Sequence, residues 1–141
     1  MLQLLAFTLV WQGRFWGRTL PGWRAALCVA LFVAAIALSW SSSRALAGQL
    51  RIDAALGADH TLVRSGPYAI VRNPIYTSML AVLCAMAVVV SGWKLFAVSL
   101  LIFIVGTEIR VRTEETLLAS RFGEEFKAYK RQVPAYIPFL I

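Results

Sequence analysis

Two stretches of this chain have the residue types and spacing to do chemistry. One runs His60-Thr-Leu-Val-Arg-Ser-Gly-Pro-Tyr-Ala-Ile-Val-Arg-Asn-Pro-Ile-Tyr76, the other Arg110-Val-Arg-Thr-Glu-Glu115. Arg110 and Glu114 are four apart, so on a helix they share a face. Alone, such a pair is usually a solvated helix end of little energetic consequence. Taken singly, His60 reads as a packed or interfacial histidine, and Tyr68 and Tyr76 read as packing residues. Their placement raises them above that, because the two stretches sit at opposite ends of one apolar hairpin. A hairpin brings its ends together, and polar groups converging beside hydrocarbon are costly unless they hold something. Asn73-Pro74 opens the first arm with a favoured N-cap and a proline at the first helical position. A helix start can accept an anion through its free N–H groups. Guanidinium, carboxylate and N–H groups in one place fit a ligand with both charges, such as an amino-acid-like cofactor.

The elements that must position these groups are apolar. The chain has 141 residues, one domain's worth, and is 60% hydrophobic with a mean hydropathy of +0.71; ordinary soluble domains are roughly 45–50% apolar. Residues 25–40, 75–90 and 95–107 carry no charge. The first extends to a full membrane span, whereas the second and third are marginal against the ~20 residues needed to cross. Residues 1–11 are apolar over about half that length and lack the basic start and cleavage site of a signal peptide. They read as a short first membrane segment or an interfacial one. Ala26, Ala30 and Ala34 offer a small-residue packing stripe, and Ser41-Ser-Ser43 ends the first span, with a partly helical connection to follow. Beyond Glu108 the last helix continues into water, with Leu117, Leu118, Phe122 and Phe126 on one face and Gly123 as an interruption or bend. The proline-punctuated, apolar end from Val133 is not helical and is expected to pack over something, the site included. The expected fold is an all-α integral membrane bundle: a transmembrane hairpin, a cytoplasmic helix and a non-helical C-terminal tail. It forms a single domain, 1–141, with membrane segments in 1–43 and a cofactor-binding core in 60–138.

The net charge of +7 does not point to nucleic acid, because the basic residues border the apolar runs. Ten of the fourteen lie on the side that carries both motifs, and Arg14, Arg18, Arg24 and Lys94 lie on the other. The positive-inside rule therefore places the motifs in the cytoplasm and membrane lipids among the partners. Cys28 and Cys84, with no paired spacing, read as small buried hydrophobes. Trp11, Trp16, Trp23, Trp40 and Trp93 fall near span ends, as an interfacial belt does. An aromatic wall for a lipid substrate is the other use open to them.

In order along the chain, His60-Thr-Leu-Val63, Ser65-Gly-x-Tyr68, Arg72-x-Pro-x-Tyr76, Arg112-Thr-Glu-Glu115, Phe122-Gly-Glu-Glu-Phe126, Tyr129-Lys130 and Val133-Pro-x-x-Ile-Pro138 resemble the isoprenylcysteine carboxyl methyltransferase family. That family belongs to a wider group of integral membrane methyltransferases with the phospholipid methyltransferases. The resemblance covers residues 60–138. It implies S-adenosylmethionine as cofactor and methyl transfer to a lipophilic small molecule or lipidated substrate, a carboxylate in the named family. It implies that His60, Thr61, Leu62, Val63 and Tyr68 line the cofactor site, that Asn73, Pro74, Ile75 and Tyr76 continue it, and that Glu114 is its acidic contact. Arg110 matches the family's arginine near the reacting group and is the catalytic candidate. No metal is implied. Where the family usually has Arg-His-Pro, this chain has Arg72-Asn73-Pro74, and asparagine does not titrate near pH 7, so only a positional role carries over. An acceptor carboxylate would need no base, whereas a thiol or amine would make Glu114, Glu115 or His60 the candidate bases. Two alternatives stand beside this one. Arg72-x-Pro-x-Tyr76 also resembles membrane sterol reductases, which use NADPH, and a small inactive membrane scaffold would carry the same apolar helices.

Overall fold

The computed structural model describes residues 1–12, 19–56, 62–90 and 92–138. Among them there is no strand. Four α-helices follow one another: α1 (Leu2–Trp11), α2 (Gly22–Leu56), α3 (Pro74–Val90) and α4 (Trp93–Gln132), with a 3-10 turn at Gly66–Ala69 between α2 and α3. By length and composition one described segment, Gly22–Ala47, is able to cross a membrane, with 26 residues and a mean hydropathy of 2.1. The hairpin arms are shorter: the 17 residues of α3 rise about 26 Å against a hydrocarbon core of ~30 Å.

The expected break at Ser41–Ser43 does not occur, and α2 runs on to Leu56. The Ser41 and Ser42 hydroxyls bond back to the Leu38 carbonyl at 3.0 and 2.6 Å, which satisfies them inside the helix. The expected alanine stripe is also displaced. Ala26, Ala30 and Ala34 are exposed, while Cys28, Ala35 and Ser42, seven apart, follow the covered side. A spacing of seven keeps one seam facing a neighbouring helix at a shallow crossing, which a spacing of four does not. Cys28 and Cys84 are half-buried rather than buried. Trp11, Trp23, Trp40 and Trp93 are all more than half exposed, as a belt requires; Trp16 lies outside the described residues.

The two arms of the hairpin do not simply pack on each other, because α1 lies against both. Gly106 makes this possible: a Cβ there would lie 2.6 Å from the Leu2 Cβ. Phe7 meets Phe103 edge-on at 6.1 Å, so α1 runs antiparallel to α4. Ala6, Val10, Leu83 and Phe103 form the buried centre where α1, α3 and α4 meet. Between apolar helices in lipid, close van der Waals contact of this kind replaces the hydrophobic effect as the force that holds them together.

The helix that leaves the hairpin reverses. Gly123 has φ 53° and ψ −123°, a conformation that glycine alone adopts without strain. Glu115 and Lys130 are fifteen apart and would lie roughly 22 Å apart on a straight helix, yet their side chains form an ion pair. Residues beyond Gly123 therefore fold back on the preceding turns, and Phe126, Tyr129 and Val133 close a second small core with Leu62, Leu118 and Phe122. Leu117, expected on that face, points out and is 65% exposed. Gly123→Ala should lower stability by about 1–3 kcal/mol through backbone strain alone. Thermal melting in detergent checks this, and an unchanged midpoint would mean that the reversal is not fixed by this residue.

Candidate functional site

The fold-back carries the tail across the start of α3. Arg72 N–H donates to the Pro134 carbonyl at 2.8 Å, and Asn73 N–H donates to that of Ala135 at 3.1 Å. The Asn73 side-chain amide also donates to the Ala135 carbonyl, at 3.2 Å, and the Thr77 hydroxyl donates to that of Tyr136, at 2.9 Å. Asn73 thus tethers the tail, a role that the reading of cap or pocket residue did not include. The tail is non-helical and packs over the motif region, as its prolines led one to expect. Tyr129 donates to the Tyr68 carbonyl at 2.6 Å, which fastens the 3-10 turn to the same layer.

Across the hairpin the two motifs meet. The Tyr76 hydroxyl donates to Glu114 Oε1 at 2.7 Å, and Arg110 Nε lies 3.5 Å from the same oxygen. Tyr76, Arg110 and Glu114 line a cavity of about 380 Å³ together with Ile75, Met79 and Gln3. Arg110 and Glu114 keep 63% and 45% of their side chains exposed, so both can exchange partners with a ligand. Gln3 comes from α1 and was not among the sequence candidates. It is buried and its amide reaches Thr107 Oγ1 at 3.5 Å. No local motif marks it; only the close approach at Gly106 places it there.

The neighbouring glutamate is spent otherwise. Glu115 Oε1 lies 2.8 Å from Arg72 Nη1, and these side chains are only 15% and 11% exposed. Lys130 takes the other oxygen of Glu115. This arrangement leaves Glu115 no freedom to serve as a base. Glu108, one turn before Arg112, accepts from the Tyr136 hydroxyl at 3.1 Å. The Arg112 guanidinium hydrogen bond holds the Glu108 carboxyl below its ordinary range, and Tyr136 adds to this.

The remaining candidates are divided. Pro74 is fully buried at the helix start. Leu62 packs into the second core and not into the cavity. Val63 is half-buried beside it in sequence. Tyr68 lies near enough to Glu114 to feel its charge, and burial first, then that charge, pushes its phenol up to about 12. His60 and Thr61 lie outside the described residues. Among the described residues, no group of three histidine, cysteine, aspartate or glutamate side chains is placed to hold a metal ion.

Comparison with known proteins adds the following. A family model described as phospholipid methyltransferase matches residues 23–125, the greater part of the chain. A cobalt-zinc-cadmium resistance protein of Cupriavidus metallidurans is 37% identical over 58% of this chain and 38% of its own length. Human protein-S-isoprenylcysteine O-methyltransferase is 30% identical over 57% of this chain and 28% of its own. Methanethiol S-methyltransferase 1 of Bradyrhizobium diazoefficiens is 35% identical over 51% of this chain and 24% of its own. The chain thus spans well under half the length of these curated relatives. No solved structure matches it.

Two outcomes follow from this geometry. Glu115→Gln leaves Arg72 buried without its counter-charge and should cost ~3–5 kcal/mol, whereas Glu114→Gln, on an exposed pair, should cost under ~1 kcal/mol. Melting of both variants in detergent compares them, and equal losses would show that the ion pair does not hold the fold. The second concerns alkali. An exposed phenol titrates near 10, but burial pushes Tyr68 and Tyr129 up to about 12. The folded protein then keeps protons that the unfolded chain releases, so stability due to these phenols is intact below pH ~10 and is lost towards pH ~12. The melting midpoint should be flat from pH ~7 to ~9, fall above pH ~10, and fall less steeply in Tyr129→Phe.

Proposed function

The chain belongs to the phospholipid methyltransferase family, and on that premise we propose that it transfers a methyl group from S-adenosylmethionine to a lipophilic or membrane-associated acceptor. The observation that carries this reading is the convergence of Tyr76, Arg110 and Glu114 on one cavity from opposite ends of the hairpin. Its volume, about 380 Å³, falls within the ~300–1,000 Å³ of small-molecule sites. Its carboxylate, phenol and amide fit the two charged groups of a ligand that ends in an amino-acid group, and the guanidinium is left for the acceptor. The similarity to an isoprenylcysteine O-methyltransferase and to a methanethiol S-methyltransferase supports the same chemistry for two kinds of acceptor, a carboxylate and a thiol.

In this reading Glu114 takes the cofactor's ammonium group, with Tyr76 holding the carboxylate in place. Ile75, Pro74 and Asn73 set the start of α3 behind it, and Tyr68 and Val63 complete the cofactor side; His60 and Thr61 are assigned to it by the family resemblance alone, and Leu62 is held in the second core instead. The cofactor supplies a methyl group on a sulfonium, already activated towards a nucleophile. The protein's work is then alignment and exclusion of water, and alignment can contribute up to ~7–11 kcal/mol. Arg110 is the catalytic residue of this scheme: it orients the acceptor, by a direct ion pair where the acceptor is a carboxylate. An acceptor thiol or amine needs a route for its proton; with Glu114 on the cofactor's ammonium group and Glu115 held by Arg72 and Lys130, His60 is the candidate base that remains. The hairpin lies in the bilayer with the long apolar segment of α2, and the site faces the cytoplasm, where ten of the fourteen basic residues gather.

Calorimetry on the detergent-solubilised protein should show binding of S-adenosylmethionine and of its demethylated product, and none of NADPH. Glu114→Ala should weaken that binding tenfold or more, since a charge-assisted contact contributes ~1.5–3 kcal/mol. Arg110→Ala should keep the cofactor affinity and lower turnover. Heat with NADPH alone would overturn the assignment, and parental affinity in Glu114→Ala would make that residue a surface charge only.

A further inference from the structure

A cavity of about 490 Å³ opens at the end of the bundle opposite Arg110 and Glu114. Its wall includes Trp23 and Arg24 from the start of α2, Cys84 and Ala87 from the second half of α3, and Trp93 and Phe96 from the start of α4. Ala87 lies eleven residues beyond Tyr76, about 16 Å along the axis of α3, so this space is separate from the candidate site. We propose that it binds one anionic phospholipid, with the phosphate at Arg24 and Lys94 and the upper part of an acyl chain against α3 and Phe96. The inference goes beyond the methyl-transfer reading and does not rest on it: the lipid is held here, far from the transferred methyl group.

Charge decides the class of lipid. Residues 1–52 and 60–107 contain no aspartate or glutamate, so this end of the bundle has cations and no carboxylate to meet them. At the other end Arg64, Arg72, Arg110, Arg112, Lys127 and Lys130 each meet a glutamate. Arg24 and Lys94 stand instead over tryptophan rings of the cavity wall, 5.3 Å from the Trp23 centroid and 5.7 Å from that of Trp93. Both rings are mostly exposed, at the level where indoles meet lipid headgroups. A guanidinium stacked on a ring keeps its N–H edge for a phosphate. Phosphatidylcholine brings its own cation to this place, which Arg24 and Lys94 repel, whereas phosphatidylglycerol brings none.

Shape decides that the ligand has a chain. Cys84 lies six residues before the end of α3 at Val90, about 9 Å deeper along the axis. Small side chains at Cys84 and Ala87 leave room there, and Phe96 makes the facing wall apolar. A soluble anion would leave that wall bare, whereas a phospholipid covers it with glycerol carbons and methylenes. The volume falls within the ~300–1,000 Å³ of ligand sites. A lipid so placed ties the start of α2 to the junction of α3 and α4.

The test titrates phosphatidylglycerol, phosphatidylcholine and soluble glycerol phosphate into the detergent-solubilised protein. Native mass spectrometry counts the lipid retained, and thermal melting follows stability. Phosphatidylglycerol should be retained in preference to phosphatidylcholine and should raise the melting midpoint, and glycerol phosphate should do neither. Arg24→Gln should weaken the retention about fivefold or more. Ala87→Phe, which fills the floor and leaves the charge alone, should abolish it. Arg44→Gln is the control for net charge, since Arg44 stands over Trp40 at 5.0 Å further along the same helix, and it should retain the lipid as the parent does. Melting without added lipid establishes that each variant is folded, and Lys94→Gln in the Arg24→Gln background replaces Ala87→Phe if that variant is not. Equal retention of the two phospholipids would overturn the proposal, as would an equal loss in Arg44→Gln. Stabilisation by glycerol phosphate alone would make this an anion site and would overturn the assignment to a lipid.

Discussion

The ion pair between Arg72 and Glu115, with only 11% and 15% of the two side chains left exposed, is the contact on which the rest of this structure depends. Two charges this far from water are expensive to place, and they persist only where geometry and further hydrogen bonds compensate. On the Glu115 side that compensation comes from Lys130 on its second oxygen, and Lys130 arrives only because the chain reverses at Gly123. The reversal then delivers the tail to the start of α3, where Arg72, Asn73 and Thr77 hold its carbonyls. One electrostatic demand thus ties the entry to α3, the far part of α4 and the chain's end into one layer above the hairpin.

Adjacent positions on α4 consequently have opposite duties. Glu115 is turned inward and fully committed, whereas Glu114 shares its carboxylate between a phenol and an exposed guanidinium. A carboxylate with solvent-exposed partners can exchange them for a ligand at small cost, and a buried one cannot. The helical pitch separates the two roles, since neighbouring residues on a helix differ by about 100° in direction. The same pitch puts Thr107 and Gly106 against α1 and thereby brings Gln3 to the cavity wall.

Much of this was legible from residues in order along the chain. The helix start at Asn73-Pro74, the continuation of α4 past Glu108, the bend at Gly123 and the non-helical end all follow from local preferences that tertiary packing did not overrule. Where local signals failed, packing decided. Ser41 and Ser42 were absorbed into α2 by bonding back to Leu38, and the small residues that pack are those spaced by seven, Cys28, Ala35 and Ser42. Leu117 faces outward although its apolar type placed it with Phe122 and Phe126. Asn73 illustrates a third case: its type fits a helix cap, but its amide is used over a separation of 62 residues.

By itself the sequence determined the helical class, the apolar hairpin, the family and the two motifs that meet across it, because each of these is carried by residue types at short, regular spacings. The tertiary structure decided which members of those motifs reach a common space. Tyr76, Arg110 and Glu114 do, Leu62 and Glu115 are used to hold the layer together, and Gln3 enters from a helix without any motif. The reason is physical. Spacing fixes the face of a helix that a residue occupies, but which face is covered, and by what, depends on close approaches such as Leu2 on Gly106 and the Lys130–Glu115 pair. Those contacts join residues far apart in the chain, where no local pattern records them.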